Sequence, residues 1–261
     1  MKRFLQIANV IAFVITLFFN YLSNTGVFNG NTMASVSARY GNLFTPAGYA
    51  FSIWGLIYLA LFAFMVYQAR SIFRDVKDDD FVLKIGWWFI ISCIANSLWV
   101  LAWLYDYTGT SVILMLVILF SLIKIIINTR MELDEVPITK LAFLWWPFSV
   151  YSGWISVALI ANISAWLTKI GWNNFGLPDI AWAIIMIIVA GIINLFITWT
   201  RNMREYALVG VWALMAIAVA NWETEIAVST AALSVAAILL ISTTVHAFNN
   251  RKSLSKLFLN R

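Results

Sequence analysis

Apolar runs separated by short polar breaks follow one another along this whole chain, at roughly residues 4–22, 46–68, 84–104, 109–128, 141–166, 179–200, 206–222 and 226–247. A run of about 18 or more apolar residues crosses a bilayer as a helix, and in hydrocarbon only helices or closed barrels satisfy every backbone group. A barrel would need strict two-residue alternation, which these runs lack. The composition agrees, with 62% hydrophobic and 11% charged residues. The expected fold is therefore all-α, a polytopic membrane helical bundle of about eight transmembrane helices. The seventh run is the shortest, and its flanking Arg204 and Trp222 suit a short span reaching to the headgroups.

The distribution of lysine and arginine sets the expected orientation. With the N-terminus in the cytoplasm, eight spans put 15 of the 17 basic residues inside and leave Arg39 and Lys169 outside. Both termini are then cytoplasmic, and the expected location is a bacterial cell membrane. The net charge of +5 reads as this topology signal and not as a nucleic-acid surface. Lys2 and Arg3 ahead of an apolar stretch resemble a signal peptide. That stretch is too long, however, and "NYLSNTGVFN" after it lacks a small-x-small cleavage pattern, so it is expected to stay as a helix.

Catalytic chemistry is sparse. Cys93 and His246 are each the only residue of their type, which excludes an intrachain disulfide and a thiolate metal cluster. The acids fall in the breaks or near helix ends, and "DVKDDD" reads as a solvated loop rather than a metal site. A proton-coupled transporter or an intramembrane hydrolase would place an acid, base or metal at mid-membrane. No catalytic residue, metal ligand or cofactor is expected, and the chain does not read as an enzyme.

Aromatic and amide side chains are abundant instead, with 14 tryptophans in 261 residues. Many suit the interfacial belt, among them Trp87, Trp88, Trp145, Trp146, Trp103, Trp166, Trp172 and Trp222. Trp54, Trp99 and Trp154 suit it less well, since Trp54 lies eight residues from the expected outer end of its span, roughly 12 Å deep. On the third span Asn96, Trp99 and Trp103 share a face. On the fifth, Trp154, Ala158, Asn162 and Trp166 repeat every four residues, and Phe51, Trp54 and Tyr58 form a similar stripe on the second. Two readings of the asparagines are open. They can bond across helices and hold the bundle together, or they can orient a flat, mostly apolar ligand in an aromatic cavity.

At these residues the chain resembles the tryptophan-rich sensory protein family, also called the translocator or TspO/MBR family. The shared features are Pro46 ahead of Trp54-x-x-x-Tyr58, then Asn96-x-x-Trp99, then Trp154 with Asn162 and Trp166 at eight and twelve residues. Phe51 stands one residue closer to Trp54 than in the family pattern, which turns it about 100° on an ideal helix. The resemblance covers residues 1–167 and implies a five-helix bundle there, leaving 168–250 as a three-helix addition and 251–261 as a basic cytoplasmic tail. It implies a cavity lined by Trp54, Tyr58, Asn96, Trp99, Trp154, Asn162, Trp166 and Pro46 that takes a porphyrin, another tetrapyrrole or a sterol-like lipophile. Its cover would be the loop 23–45, which is long for a compact membrane protein. A homodimer is also implied as a partner state.

The expected function is ligand binding within the bilayer, as a receptor or sensor. Transport of the same ligand is the alternative, and light-dependent porphyrin breakdown ranks below both. The small residues of the last two runs, such as Ala213, Ala216, Ala232 and Ala236, suggest close packing, an oligomer surface or a wall of the cavity.

Overall fold

The computed structural model describes residues 1–74, 76 and 79–249. The expected basic tail 251–261, like Asp75, Lys77 and Asp78, lies outside them. Among the described residues eight long helices form one bundle: α1 (Lys2–Leu22), α2 (Ile53–Phe73), α3 (Trp88–Leu104), α4 (Thr108–Asn128), α5 (Trp146–Lys169), α6 (Asp179–Arg201), α7 (Arg204–Asn221) and α8 (Ile226–Asn249). No strand occurs among the described residues.

Among the described residues, six segments are long and apolar enough to cross a membrane, those containing α1, α2, α4, α5, α6 and α8. The chain is thus a multi-pass membrane protein. The other two expected spans form helices in the same bundle without meeting that standard. At 17 residues α3 rises about 25 Å, short of a hydrocarbon core of about 30 Å. It starts late because Gly86, at φ +56°, interrupts the chain after a short helix, Phe81–Ile85. The 18-residue α7 begins with Arg204 and Glu205 in its first turn.

Local sequence explains several boundaries. Pro178 caps α6 and Asp179 opens it, where a carboxylate favours the helix dipole. Asn202 ends it in the left-handed conformation at φ +59°, a residue type that tolerates that region. Before α5, residues Leu141–Trp145 widen into a π turn immediately ahead of Pro147, whose ring cannot donate a backbone bond and crowds the preceding turn.

Large apolar side chains such as Ile11, Phe62, Ile113, Phe196 and Ile241 are exposed, as lipid-facing surfaces require. Inside, Phe64, Phe89 and Phe148 join α2, α3 and α5, with ring centroids 4.9 to 5.9 Å apart. A buried amide cluster fastens α1 to α2. There Asn9 Nδ2 donates to Gln68 Oε1 at 2.9 Å, and Gln6 Nε2 donates to Ser71 Oγ at 2.7 Å.

The last three helices are built into this bundle. Gly153 of α5 lies so close to α7 that a Cβ there would stand 2.9 Å from the carbonyl oxygen of Tyr206. The small residues of α7 and α8 serve that packing within the chain. Ala213, Ala216 and Ala232 are fully buried, and Ser229 Oγ donates to the Ala218 carbonyl at 2.8 Å.

Candidate ligand cavity

A cavity of about 60 Å³ opens between α2, α3, α4 and α5 beneath the first loop. Its wall contains Trp54, Trp99, Trp103 and Trp154, with Asn162 as a polar side chain and Pro46 at the rim. Trp54 is at the centre of the aromatic cluster. Its ring centroid is 5.4 Å from Tyr58, 5.9 Å from Tyr151, 6.1 Å from Trp99 and 6.4 Å from Trp154.

Five of the eight sequence-predicted residues meet at this cavity: Pro46, Trp54, Trp99, Trp154 and Asn162. The other three do not line it. Tyr58 stacks on Trp54 one turn further along α2, with its hydroxyl buried and without a hydrogen-bond partner among the described residues. Asn96 is fully buried away from it, accepting from Asn20 Nδ2 at 2.7 Å and donating to Tyr151 Oη at 3.2 Å. These bonds join α3 to α1 and α5. Trp166 instead packs on α4, where a Cβ on Gly109 would lie 3.1 Å from the Trp166 indole nitrogen. Steps of four residues drift by about 40° each on a helix, so Trp166 has turned about 120° from Trp154.

The second predicted amide, Asn162, is firmly held. Its Oδ1 accepts from Trp99 Nε1 at 2.9 Å, and its Nδ2 donates to Ser111 Oγ at 2.7 Å. Both asparagines therefore bond across helices, and of the two only Asn162 also lines the cavity. The indole N–H of Trp154, by contrast, is buried with no acceptor among the described residues.

Sequence reasoning missed other wall residues. Phe51 lines the cavity, its ring 6.1 Å from that of Trp154. The 100° turn expected of it does not apply, because Gly48–Ser52 is a tighter 3-10 helix that joins α2 only at Ile53. Trp103, which suits the interfacial belt by sequence, also lines the cavity, as the face it shares with Trp99 allows. Small side chains of α5, Ala158, Ala161 and Ala165, leave the hollow itself.

The loop covers the cavity through Met33 and Ser37, on a short helix Met33–Arg39 whose start is fixed by a reciprocal Thr32–Ser35 capping box. The two sides of the loop are fastened differently. On one side, Asn31 Nδ2 donates to the Leu104 carbonyl at 2.8 Å and Tyr40 Oη donates to Asp106 Oδ2 at 3.0 Å. Asp106 also pairs with Lys169 at 3.1 Å. On the other side α7 is the anchor. Asn221 Nδ2 donates to the Leu43 carbonyl at 3.0 Å, the Ala47 amide to the Ala216 carbonyl at 3.0 Å, and Trp212 Nε1 to the Ala50 carbonyl at 3.1 Å.

Comparison with known proteins agrees with the motifs. The family model described as TSPO-like protein matches residues 6–245, running without a break through the 167/168 division and taking in α6, α7 and most of α8. No curated protein and no solved structure gives a match. With nearly the whole chain matched and the tryptophan cavity in place, the chain belongs to the TSPO-like protein family.

Proposed function

We propose that this protein binds a flat lipophilic molecule, of the porphyrin, tetrapyrrole or sterol-like kind, in the tryptophan-lined cavity and acts as a membrane receptor or sensor. The observation that carries the reading is the convergence of Trp54, Trp99, Trp103 and Trp154 on one covered space with a single amide, Asn162. Aromatic walls with a few placed polar groups are how proteins hold such ligands. No carboxylate, imidazole or thiol lines the cavity, which favours binding over turnover.

Size adds a condition. Pockets for small molecules enclose about 300 to 1,000 Å³, against about 60 Å³ here. Binding therefore requires the loop to lift, with α7 as the hinge and the Tyr40–Asp106–Lys169 contacts as the side that releases. In a bacterial cell membrane with cytoplasmic termini, the orientation favoured by the basic residues, the loop faces outward.

The test is a titration of the purified protein with protoporphyrin, followed by quenching of tryptophan emission, beside Trp54→Leu. Saturable binding that weakens about tenfold or more in a folded variant supports the proposal. Equal affinity in both proteins would refute the site, and flux of bound ligand in proteoliposomes would instead favour the transporter.

A further inference from the structure

A second and larger space lies on the other side of the Thr45–Pro46 segment. It encloses about 720 Å³ between the loop, the end of α5, the start of α6 and the end of α7. Unlike the inner cavity, it has the volume of a small-molecule site as it stands. Thr45 and Pro46 belong to both linings and form the partition between them.

Its chemistry differs too. Trp172 and Trp182 stand on one side, ring centroids 4.8 Å apart at 73°, and Phe175 packs against Trp172 at 4.9 Å. Asp179 is the one ionisable side chain in the lining. It is exposed, accepts from Asn174 Nδ2 at 2.5 Å, and pairs with no lysine or arginine among the described residues. Asn42, Asn221 and Thr224 supply further polar groups.

An indole pair beside a carboxylate that no basic side chain neutralises recognises an organic cation, because the electron-rich ring face and the negative charge attract the same group. We infer that this crevice is a second binding site, for a flat aromatic molecule carrying a cationic amine. A ligand bearing carboxylates would be repelled by Asp179. The inference does not depend on what the inner cavity binds.

The test uses the full chain in detergent with rhodamine 6G, a flat aromatic cation, followed by fluorescence anisotropy. Asp179→Asn and Trp182→Leu are compared with Glu223→Gln, which removes an exposed charge of the α7–α8 connection outside the lining, and with Trp54→Leu at the inner cavity. The expected result is saturable binding that weakens about tenfold in the first two and stays as in the parent protein in the last two. Asp179→Asn keeps the side-chain size and an acceptor oxygen for Asn174, so it keeps the test decisive should Trp182→Leu fail to fold. Unchanged affinity in Asp179→Asn, an equal loss in Glu223→Gln or Trp54→Leu, or no saturable binding by a parent protein with native circular dichroism would each overturn the inference. Protoporphyrin binding lost in Trp54→Leu while rhodamine binding persists would separate the two sites.

Discussion

Trp99 and Asn162 are tied together in the cavity wall, the indole Nε1 of one donating to the amide Oδ1 of the other at 2.9 Å. Both residues are buried, and the same amide reaches Ser111 on α4, so three helices meet at one side chain. Replacing Asn162 by Leu leaves the Trp99 N–H without an acceptor. The expected cost is about 1 to 3 kcal/mol, read as a lower midpoint of thermal unfolding in detergent. An unchanged midpoint would show that the bond does not support the bundle.

The contact between α5 and α7 gives a sharper mutational contrast. In Gly153→Ala the new methyl group would meet Tyr206 backbone atoms at 2.9 and 3.1 Å, and backbone cannot swing aside. We expect a loss of about 1 to 3 kcal/mol. Gly55→Ala meets nothing within 4 Å and should gain up to about 1 kcal/mol from helix propensity. Thermal melts of the two variants check the pair. If both behave alike, α7 is not packed against α5 as described.

Releasing the loop is the third prediction. Tyr40→Phe removes the hydroxyl that donates to Asp106. The contact is partly exposed, so its loss is worth at most about 1 kcal/mol, or about fivefold in the opening equilibrium. Amide hydrogen exchange across residues 31–45 should quicken by that factor while exchange in α6 stays constant. Exchange that is unaltered in the loop would contradict the latch.

At the opposite end, in the α4–α5 connection, burial pushes the Glu132 carboxyl up to about 8 from an ordinary 4.5, with the Glu205 carboxylate adding to the shift and Arg204 opposing it. A carboxyl raised on folding binds a proton that the unfolded chain has already released. Its contribution is therefore fully present below about 4.5 and is lost as the pH rises through about 8. The unfolding midpoint should fall over that interval in the parent protein and fall less in Glu132→Gln. Parallel pH profiles would refute the assignment.

Much of this was legible in the residues because hydrocarbon leaves few options: a chain with these runs has to be helical, and the positions of Trp54, Trp99 and Trp154 followed from helical spacing. What was not legible depends on departures from ideal spacing. Phe51 reaches the cavity through a 3-10 turn, and Trp166 leaves it through the slow drift of a four-residue repeat. The joining of α7 to the loop was hidden for another reason. It rests on Ala216 and Leu43 carbonyls, and backbone groups carry no sequence signature. The buried amides of Gln6, Asn9 and Gln68 could have been noticed, since polar side chains inside apolar runs are uncommon.

In the proposed function the wall tryptophans, and not tryptophan in general, hold the ligand. This role is tested most directly by the protoporphyrin dissociation constant, from the change in porphyrin absorbance, in the parent protein, Trp154→Leu and Trp222→Leu. Trp154 is 2% exposed in the cavity wall, whereas Trp222 is 57% exposed and outside it. Affinity should be at least about tenfold weaker in Trp154→Leu and unchanged in Trp222→Leu. The same affinity in all three folded proteins would contradict it.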